Sequence, residues 1–226
     1  MSTLNMNGAF RTPPVVKNLI IINVLVFMAQ QLLPFGEEIT RRLALYYWES
    51  PNFGIWQYVT HMFLHGGYTH ILFNMFSLWM FGRILEYDLG SRRFLIFYLL
   101  SGIGAGILYS CINWIEVSAV REAAVTSYEA AVKYYNLINI PVVGASGAIY
   151  GVLLGFGMMH PNSVIMLLIP PIPIKAKYFV IIFMVIELFS GLRGSGDGVA
   201  HFAHVTGMIS AFLLLRYWKA KGKIYY

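Results

Sequence analysis

A few polar side chains lie within apolar sequence, and their types are those of nucleophilic catalysis. Ser146 lies in the stretch GASGAIYGVLLGFG, between Gly144 and Gly147, and His204 lies in the stretch AHFAHVTGMISA. A serine hydroxyl becomes a nucleophile when an imidazole within about 2.6–3.2 Å can accept its proton. The sequence therefore indicates Ser146 as a candidate nucleophile and His204 as a candidate general base.

A serine nucleophile also needs donors for the oxyanion that forms on its substrate. His70 and Asn74 are four residues apart in HGGYTHILFNMF, so they share one face of a helix and can donate toward one point. The backbone N–H of Ser146 is a third candidate donor, because a helix is expected to begin there. Taken alone, the His70–Asn74 spacing favours ordinary hydrogen bonding between membrane helices.

Three further side chains are expected near this site. Tyr150 lies one helical turn after Ser146 and is expected to pack on the His204 ring. His201 precedes His204 by three residues and is expected to line a water-accessible cavity. Glu187 is a candidate gate or cavity residue, although a satisfied polar contact is favoured. Since nothing in the sequence ties an acid to His204, we predict a Ser–His dyad.

Small residues are expected to bring the two catalytic elements together. Gly147, Gly151 and Gly155 form one ridge, and Gly207 and Ala211 continue the helix face of His204. Packing of the two ridges would place Ser146 against His204. The alternative is that these residues are only packing contacts, which is their ordinary role in membrane bundles.

The elements that hold these residues are predicted to be membrane helices. Of 226 residues, 58% are hydrophobic and 12% are charged, whereas soluble domains carry about 25% charged residues. The net charge of +6 does not indicate a nucleic acid partner, because the basic residues lie at the ends of apolar runs. The single cysteine, Cys111, excludes an intrachain disulfide.

About 20 apolar residues cross the hydrocarbon core of a bilayer. The sequence predicts one all-α domain, 1–226, with six spans at about 17–33, 69–85, 93–115, 147–159, 177–192 and 199–217. Most of the 16 Lys and Arg residues lie on the cytoplasmic side if both termini are cytoplasmic. Ser146 then begins the fourth span at the outer side. That span is short, so it is expected to be partly buried among the other helices.

Two long loops are expected on the outer side. The first, 36–68, is amphipathic, and Trp48 and Trp56 favour short helices at the membrane interface. The second, 116–139, has mixed charge and is typical of a helical hairpin or an irregular loop. No cleavage site follows the first apolar run, so it is expected to be a retained span.

The motifs together resemble those of the rhomboid intramembrane serine proteases, over about 51–216. The family pattern has a His-rich entry to the second span with H-x3-N, then GxSG at the start of the fourth span, then AHxxGxxx(G/A) in the sixth. Here His70 and Asn74, GASG around Ser146, and AHVTGMISA around His204 take those places. Glu86 in GRILE also matches.

The resemblance implies that Ser146 is the nucleophile and His204 the base, with Tyr150 stacked on it and His70, Asn74 and the Ser146 amide as the oxyanion site. It implies a six-span core, an outward water-filled cavity and cleavage of transmembrane segments near the outer face. No metal or organic cofactor is implied. The expected partners are transmembrane protein substrates and the lipid bilayer, with the oligomeric state open, and the expected location is a bacterial inner membrane.

One departure and two alternatives accompany this interpretation. The family often has Trp-Arg in the first loop, whereas this chain has Trp56-Gln57, so the arginine contact is expected to be absent or replaced. One alternative is a metal-dependent membrane enzyme or transporter, with a zinc site formed from His61, His65, His70, His201 and His204, but no carboxylate is expected beside them. The other alternative is a non-catalytic binding protein, which the presence of both Ser146 and His204 argues against.

Overall fold

The computed structural model describes residues 12–167, 171–193 and 200–226, and these are predominantly helical. The elements in chain order are α1 Pro14–Leu32, α2 Gly36–Leu43, α3 Gln57–Thr60, a 3₁₀ turn His61–Phe63, α4 Tyr68–Ser77, a π-helical turn Leu78–Gly82, α5 Arg83–Leu89, α6 Ser91–Arg121, a 3₁₀ turn Ala123–Val125, α7 Tyr128–Asn139, α8 Ser146–Met159, β1 Val164–Met166, β2 Pro173–Lys175, α9 Ala176–Arg193 and α10 His201–Ala220.

Each of the six predicted segments contains helix, but the bounds differ. The predicted second span is covered by α4, the π-helical turn and α5 in sequence, and α6 continues past the predicted end at 115 to Arg121. Residue 199, predicted as the start of the sixth span, lies outside the described residues. Among those described, α1 and α6 are long and apolar enough to cross a membrane.

Helix α8 lies at the centre of the bundle. It packs against α6, α9 and α10, and most of its residues are buried. At 14 residues it is about 21 Å long, shorter than the hydrocarbon core of roughly 30 Å. Its neighbours satisfy the requirement that a short membrane helix be enclosed by protein. Ser146 is its first helical residue, so the enclosed helix starts at the candidate nucleophile.

Glu86 links helices by hydrogen bonds at the end of the bundle opposite Ser146. The backbone N–H groups of Val15 and Val16 donate to its two carboxylate oxygens at 3.0 and 2.8 Å, and Ser91 Oγ donates at 2.6 Å. The first N–H groups of a helix have no partner within the helix. Glu86 therefore caps α1 and ties it to the start of α6.

Residues 36–67, which lie between α1 and α4, are here called loop L1. It holds α2, α3 and the turn His61–Phe63. The 116–139 segment is a helical hairpin, formed by the end of α6 and by α7, and it packs on loop L1. Tyr47 of the loop shares a small apolar cluster with Val117 and Ile138 of the hairpin, and Ser50 Oγ donates to Asn139 Oδ1 at 2.8 Å.

A small antiparallel ribbon departs from the all-α expectation. Strands β1 and β2 pair with Ile165 opposite Ile174. β-branched residues suit extended backbone, and the prolines of this segment cannot continue a helix. The ribbon lies between α8 and α9, at the end of α8 away from Ser146.

Candidate active site

The structure places the candidate nucleophile and base within hydrogen-bond distance. Ser146 Oγ lies 2.8 Å from His204 Nε2, although the two residues belong to different helices. The reason is the close crossing of α8 and α10. A Cβ atom added to Gly207 would lie 2.0 Å from the carbonyl oxygen of Gly147, so only glycine permits this approach.

The glycine ridge predicted on α8 was expected to pack against the sixth span alone, but it contacts more than one helix. A Cβ added to Gly147 would lie 2.7 Å from Ala105 Cβ, and Ala105 belongs to α6. A Cβ on Gly151 would lie 2.7 Å from Ser101 of α6 and 3.1 Å from Ala211 of α10. The ridge therefore accommodates α6 as well as α10, because α8 is enclosed on several sides.

The atoms closest to Gly155 belong to helices other than α10. An added Cβ there would meet Leu85 and Phe97 at 3.0 and 3.1 Å, which lie on α5 and α6. The expectation that all three glycines face the sixth predicted span was wrong at this position, because α5 and α6 lie closest to Gly155.

The expectation that nothing ties an acid to His204 was also wrong. Glu187 Oε2 lies 2.8 Å from His204 Nδ1 and 2.7 Å from His201 Nδ1. The Tyr150 hydroxyl donates to the other carboxylate oxygen, Oε1. Glu187 is 7% exposed, so it is a buried acid with three donors, and the preference for a satisfied polar contact over a gate agrees with this geometry.

The contact with Glu187 favours one tautomer of His204. An ionised carboxylate can only accept hydrogen bonds, so the Nδ1 atom that faces Glu187 carries the proton. In a neutral ring Nε2 is then bare and can accept from Ser146 Oγ. This is the tautomer that a general base requires.

Tyr150 stacks on the candidate base, as the spacing predicts. Its ring and that of His204 have centroids 4.3 Å apart and planes within 9° of parallel. The same side chain holds Glu187 through its hydroxyl. Tyr150 therefore limits the movement of both His204 and its acidic partner.

His70 lies beside the segment that leads into α8. A Cβ added to Gly144 would lie 2.8 Å from His70 Cε1 and 3.4 Å from Ser146 Oγ. Gly144 also has φ of +131°, a conformation that favours glycine. Glycine at 144 thus allows the His70 ring, the backbone turn and the serine hydroxyl to lie together.

Asn74 is one turn further along α4 and is 6% exposed. Its Nδ2 atom is buried, and no hydrogen-bond partner for it is found among the described residues. A buried amide donor is normally satisfied. Such a donor on the His70 face of α4 is suited to an oxyanion, which would accept its hydrogen bond.

Backbone hydrogen bonds hold loop L1 against the segment that precedes Ser146, and the sequence did not predict this contact. Leu45 and Val142 form an antiparallel bridge with two bonds of 2.9 Å, and Gly144 N–H donates to the carbonyl of His61 at 2.9 Å. Backbone pairing carries no signal in residue type. Loop L1 thereby sets the position of the turn before α8.

Gln57, at the position where the rhomboid pattern often has arginine, anchors loop L1 from within. It is fully buried; its Nε2 donates to the carbonyls of Arg42 and Asn52, and its Oε1 accepts from Tyr46 N–H. Trp56 Nε1 also donates to the Arg42 carbonyl. The amide therefore makes its contacts within the loop.

A carboxylate does accompany two of the histidines, contrary to the expectation for a metal site. Glu187, His201 and His204 together could hold a metal ion, with ligand atoms within 4.8 Å of one another. However, the N···O separations of 2.7 and 2.8 Å are hydrogen-bond distances. Two ligands of one tetrahedral zinc, each at about 2.0–2.1 Å, would lie about 3.3 Å apart. The arrangement is that of a hydrogen-bonded acid.

Comparison with known proteins gives the family of the chain. The family model described as Rhomboid domain matches residues 52–220. The chain belongs to the rhomboid family. The resemblance inferred from the motifs is thereby confirmed, and the matched range contains every candidate site residue from His70 to Ala211.

Two rhomboid relatives come from Arabidopsis thaliana. The chain is 30% identical to RHOMBOID-like protein 5 over 161 residues, which cover 71% of this chain and 44% of that protein. It is 31% identical to RHOMBOID-like protein 1 over 160 residues, covering 71% and 33%. The chain thus matches less than half the length of either relative. Rhomboid membership and the apolar helices identify an integral membrane protein.

Proposed function

We propose that this rhomboid is an intramembrane serine endopeptidase that cleaves transmembrane segments of membrane proteins near the outer face of the membrane. The observation that carries the proposal is the 2.8 Å contact between Ser146 Oγ and His204 Nε2 within an apolar helical bundle. Membership of the rhomboid family suggests intramembrane protease activity and agrees with that pairing. The proposed topology has six spans with both termini cytoplasmic.

The proposed reaction is acyl transfer to Ser146. Its Oγ attacks the scissile carbonyl carbon as its proton passes to His204 Nε2. The carbonyl oxygen becomes an oxyanion, for which the donors are the His70 ring, Asn74 Nδ2 and the Ser146 backbone N–H. His204 then gives its proton to the leaving amine, and water hydrolyses the acyl-enzyme.

The start of α8 supports the role of the Ser146 backbone. The first N–H groups of a helix have no partner inside it, and the helix dipole favours negative charge at that end. A carbonyl oxygen placed there gains both the hydrogen bond and the favourable electrostatic field of the helix.

The plant relatives give no support to the bacterial inner membrane expected from the sequence, so the proposal is confined to a membrane-embedded enzyme.

The test uses the full chain reconstituted in liposomes with a model transmembrane substrate. Ser146→Ala and His204→Ala are each expected to lower cleavage by about 10³-fold or more, since nucleophile and base act as a unit. A fluorophosphonate probe should label wild type but not Ser146→Ala. The matched control is Ser210→Ala, which removes a hydroxyl on α10 whose one hydrogen bond among the described residues is to the Thr206 carbonyl, and it should leave cleavage unchanged. Cleavage that survives Ser146→Ala would refute the proposal.

A further inference from the structure

Glu187 is the only acidic residue in the sequence of α9, and its carboxylate lies behind the candidate base. Its Oε2 faces Nδ1 of His204, on the opposite side of the ring from Ser146. Starting from the proposed serine peptidase function, we propose that Glu187 is a positioning residue that acts through His204. The reacting system then has three members, Ser146, His204 and Glu187, in place of the predicted dyad.

The burial of this acid supports a role beyond packing. An ionised group inside a membrane bundle is costly unless it is paired. The donors that satisfy Glu187 come from two other helices: Tyr150 from α8, and His201 and His204 from α10. An apolar residue at this position of α9 would make none of these contacts, and no other partner of Glu187 is found among the described residues.

The carboxylate has two physical effects on His204. First, it keeps the proton on Nδ1, so that Nε2 stays bare toward Ser146. Second, its negative charge stabilises the imidazolium that forms when Ser146 loses its proton, an effect that is strong where water is excluded. Both effects act on the rate of acylation, and neither requires contact with substrate.

Tyr150 and His201 hold the carboxylate in place. The Tyr150 hydroxyl occupies Oε1, while His201 and His204 share Oε2. With both oxygens engaged, the carboxylate cannot rotate freely away from the imidazole. Removing the Tyr150 hydroxyl should therefore weaken catalysis through Glu187, although the stacked ring remains.

The experiment compares kcat and KM for cleavage of the model transmembrane substrate by the full chain in liposomes. Glu187→Gln keeps the shape of the side chain but removes its charge and one acceptor oxygen. We expect kcat to fall by about 10²-fold, the lower end of what a positioned base contributes, with KM within about twofold. Glu187→Asp keeps the charge and should recover part of the loss. The control is Glu116→Gln, which alters an exposed acid near Lys133 and should change neither constant.

A second pair of variants separates positioning from folding. Tyr150→Phe keeps the ring, so a lower kcat with unchanged KM and an unchanged unfolding temperature supports the proposal. In a His204→Ala background, Glu187→Gln should cause no further loss, because its effect passes through the imidazole. A wild-type kcat in Glu187→Gln, or an equal further loss without His204, would overturn the role of Glu187. Neither result touches the assignment of Ser146, which fails only if Ser146→Ala still cleaves.

Discussion

Gly207 lies where α10 crosses α8, and its lack of a side chain determines how closely the two helices pack. The nearest atoms to an added Cβ are backbone atoms of Gly147, which cannot move aside as the end of a flexible side chain can. The separation of Ser146 and His204 depends on this crossing. The residue at position 207 therefore limits both how closely the helices pack and how far Ser146 lies from His204.

Gly207→Ala is therefore expected to force α10 away from α8. Overpacking of this kind costs about 1–3 kcal/mol of stability, and the hydrogen bond from Ser146 to His204 should lengthen. The measurement is substrate cleavage together with thermal unfolding in detergent. Gly67→Ala is the matched control, since nothing lies within 4 Å of a Cβ there, and it should behave as wild type. A Gly207→Ala protein with full activity would contradict the proposed crossing.

At the level of single residues, the sequence predicts which side chains share a helix face, but it does not predict every partner across helices. The spacing of His70 and Asn74, and of Ser146 and Tyr150, is local to one helix, so periodicity predicts which residues share a face. The contact of Glu187 with His204 depends on how α9 is rotated and shifted against α10. That register results from packing among several helices, and no spacing in the sequence encodes it.

Loop L1 is the element on which the geometry before Ser146 depends. His61 begins the last turn of this loop, with Nδ1 donating to the Gln57 carbonyl at 2.7 Å and its own carbonyl accepting from Gly144 N–H. Burial lowers the pKa of His61 from 6.5 to about 4, because a charged imidazole would lose its hydration. Folded loop L1 therefore holds His61 neutral.

The sign of the pH effect follows from that lowered pKa. Between pH 6.5 and about 4 the unfolded chain binds a proton at His61 that the folded chain does not, so stability falls as pH falls through this range. The slope from this residue is up to about 1.4 kcal/mol per pH unit. His61→Asn keeps a donor but cannot titrate, so its unfolding temperature should drop less than that of wild type between pH 7 and pH 5. Equal drops in the two proteins would contradict the prediction.

The sequence patterns did not predict two features of the secondary structure, namely the end of α6 and the presence of the β1–β2 ribbon. Apolar content predicted the end of α6 at 115, whereas the helix continues to Arg121 because its last turns pack on Tyr47 of loop L1. The β1–β2 ribbon is too short to show a period of two. Both features arise from tertiary contacts that composition does not carry.

For the whole molecule, the distribution of basic residues predicts that both termini lie on the cytoplasmic side of the membrane. With Cys111 replaced by serine, single cysteines at Thr126 and at Lys221 would report on opposite sides, since both native residues are exposed. In sealed vesicles with the outer face outward, a membrane-impermeant maleimide should label Thr126→Cys at once and Lys221→Cys only after detergent is added. Labelling in the reverse order would refute cytoplasmic termini.

The backbone hydrogen bonds between loop L1 and the turn before Ser146 differ from the catalytic contacts in what they require of the sequence. They are made by the backbone atoms of Leu45, His61, Val142 and Gly144, so they impose no requirement on the side chains at the first three positions beyond the exclusion of proline where an N–H donates. The side chains of Leu45 and His61 are nevertheless buried, so packing limits what can replace them, whereas Val142 is only partly buried. The hydrogen bonds that hold the turn before the nucleophile therefore leave no motif of their own in the sequence, unlike the GASG and AHVTG stretches.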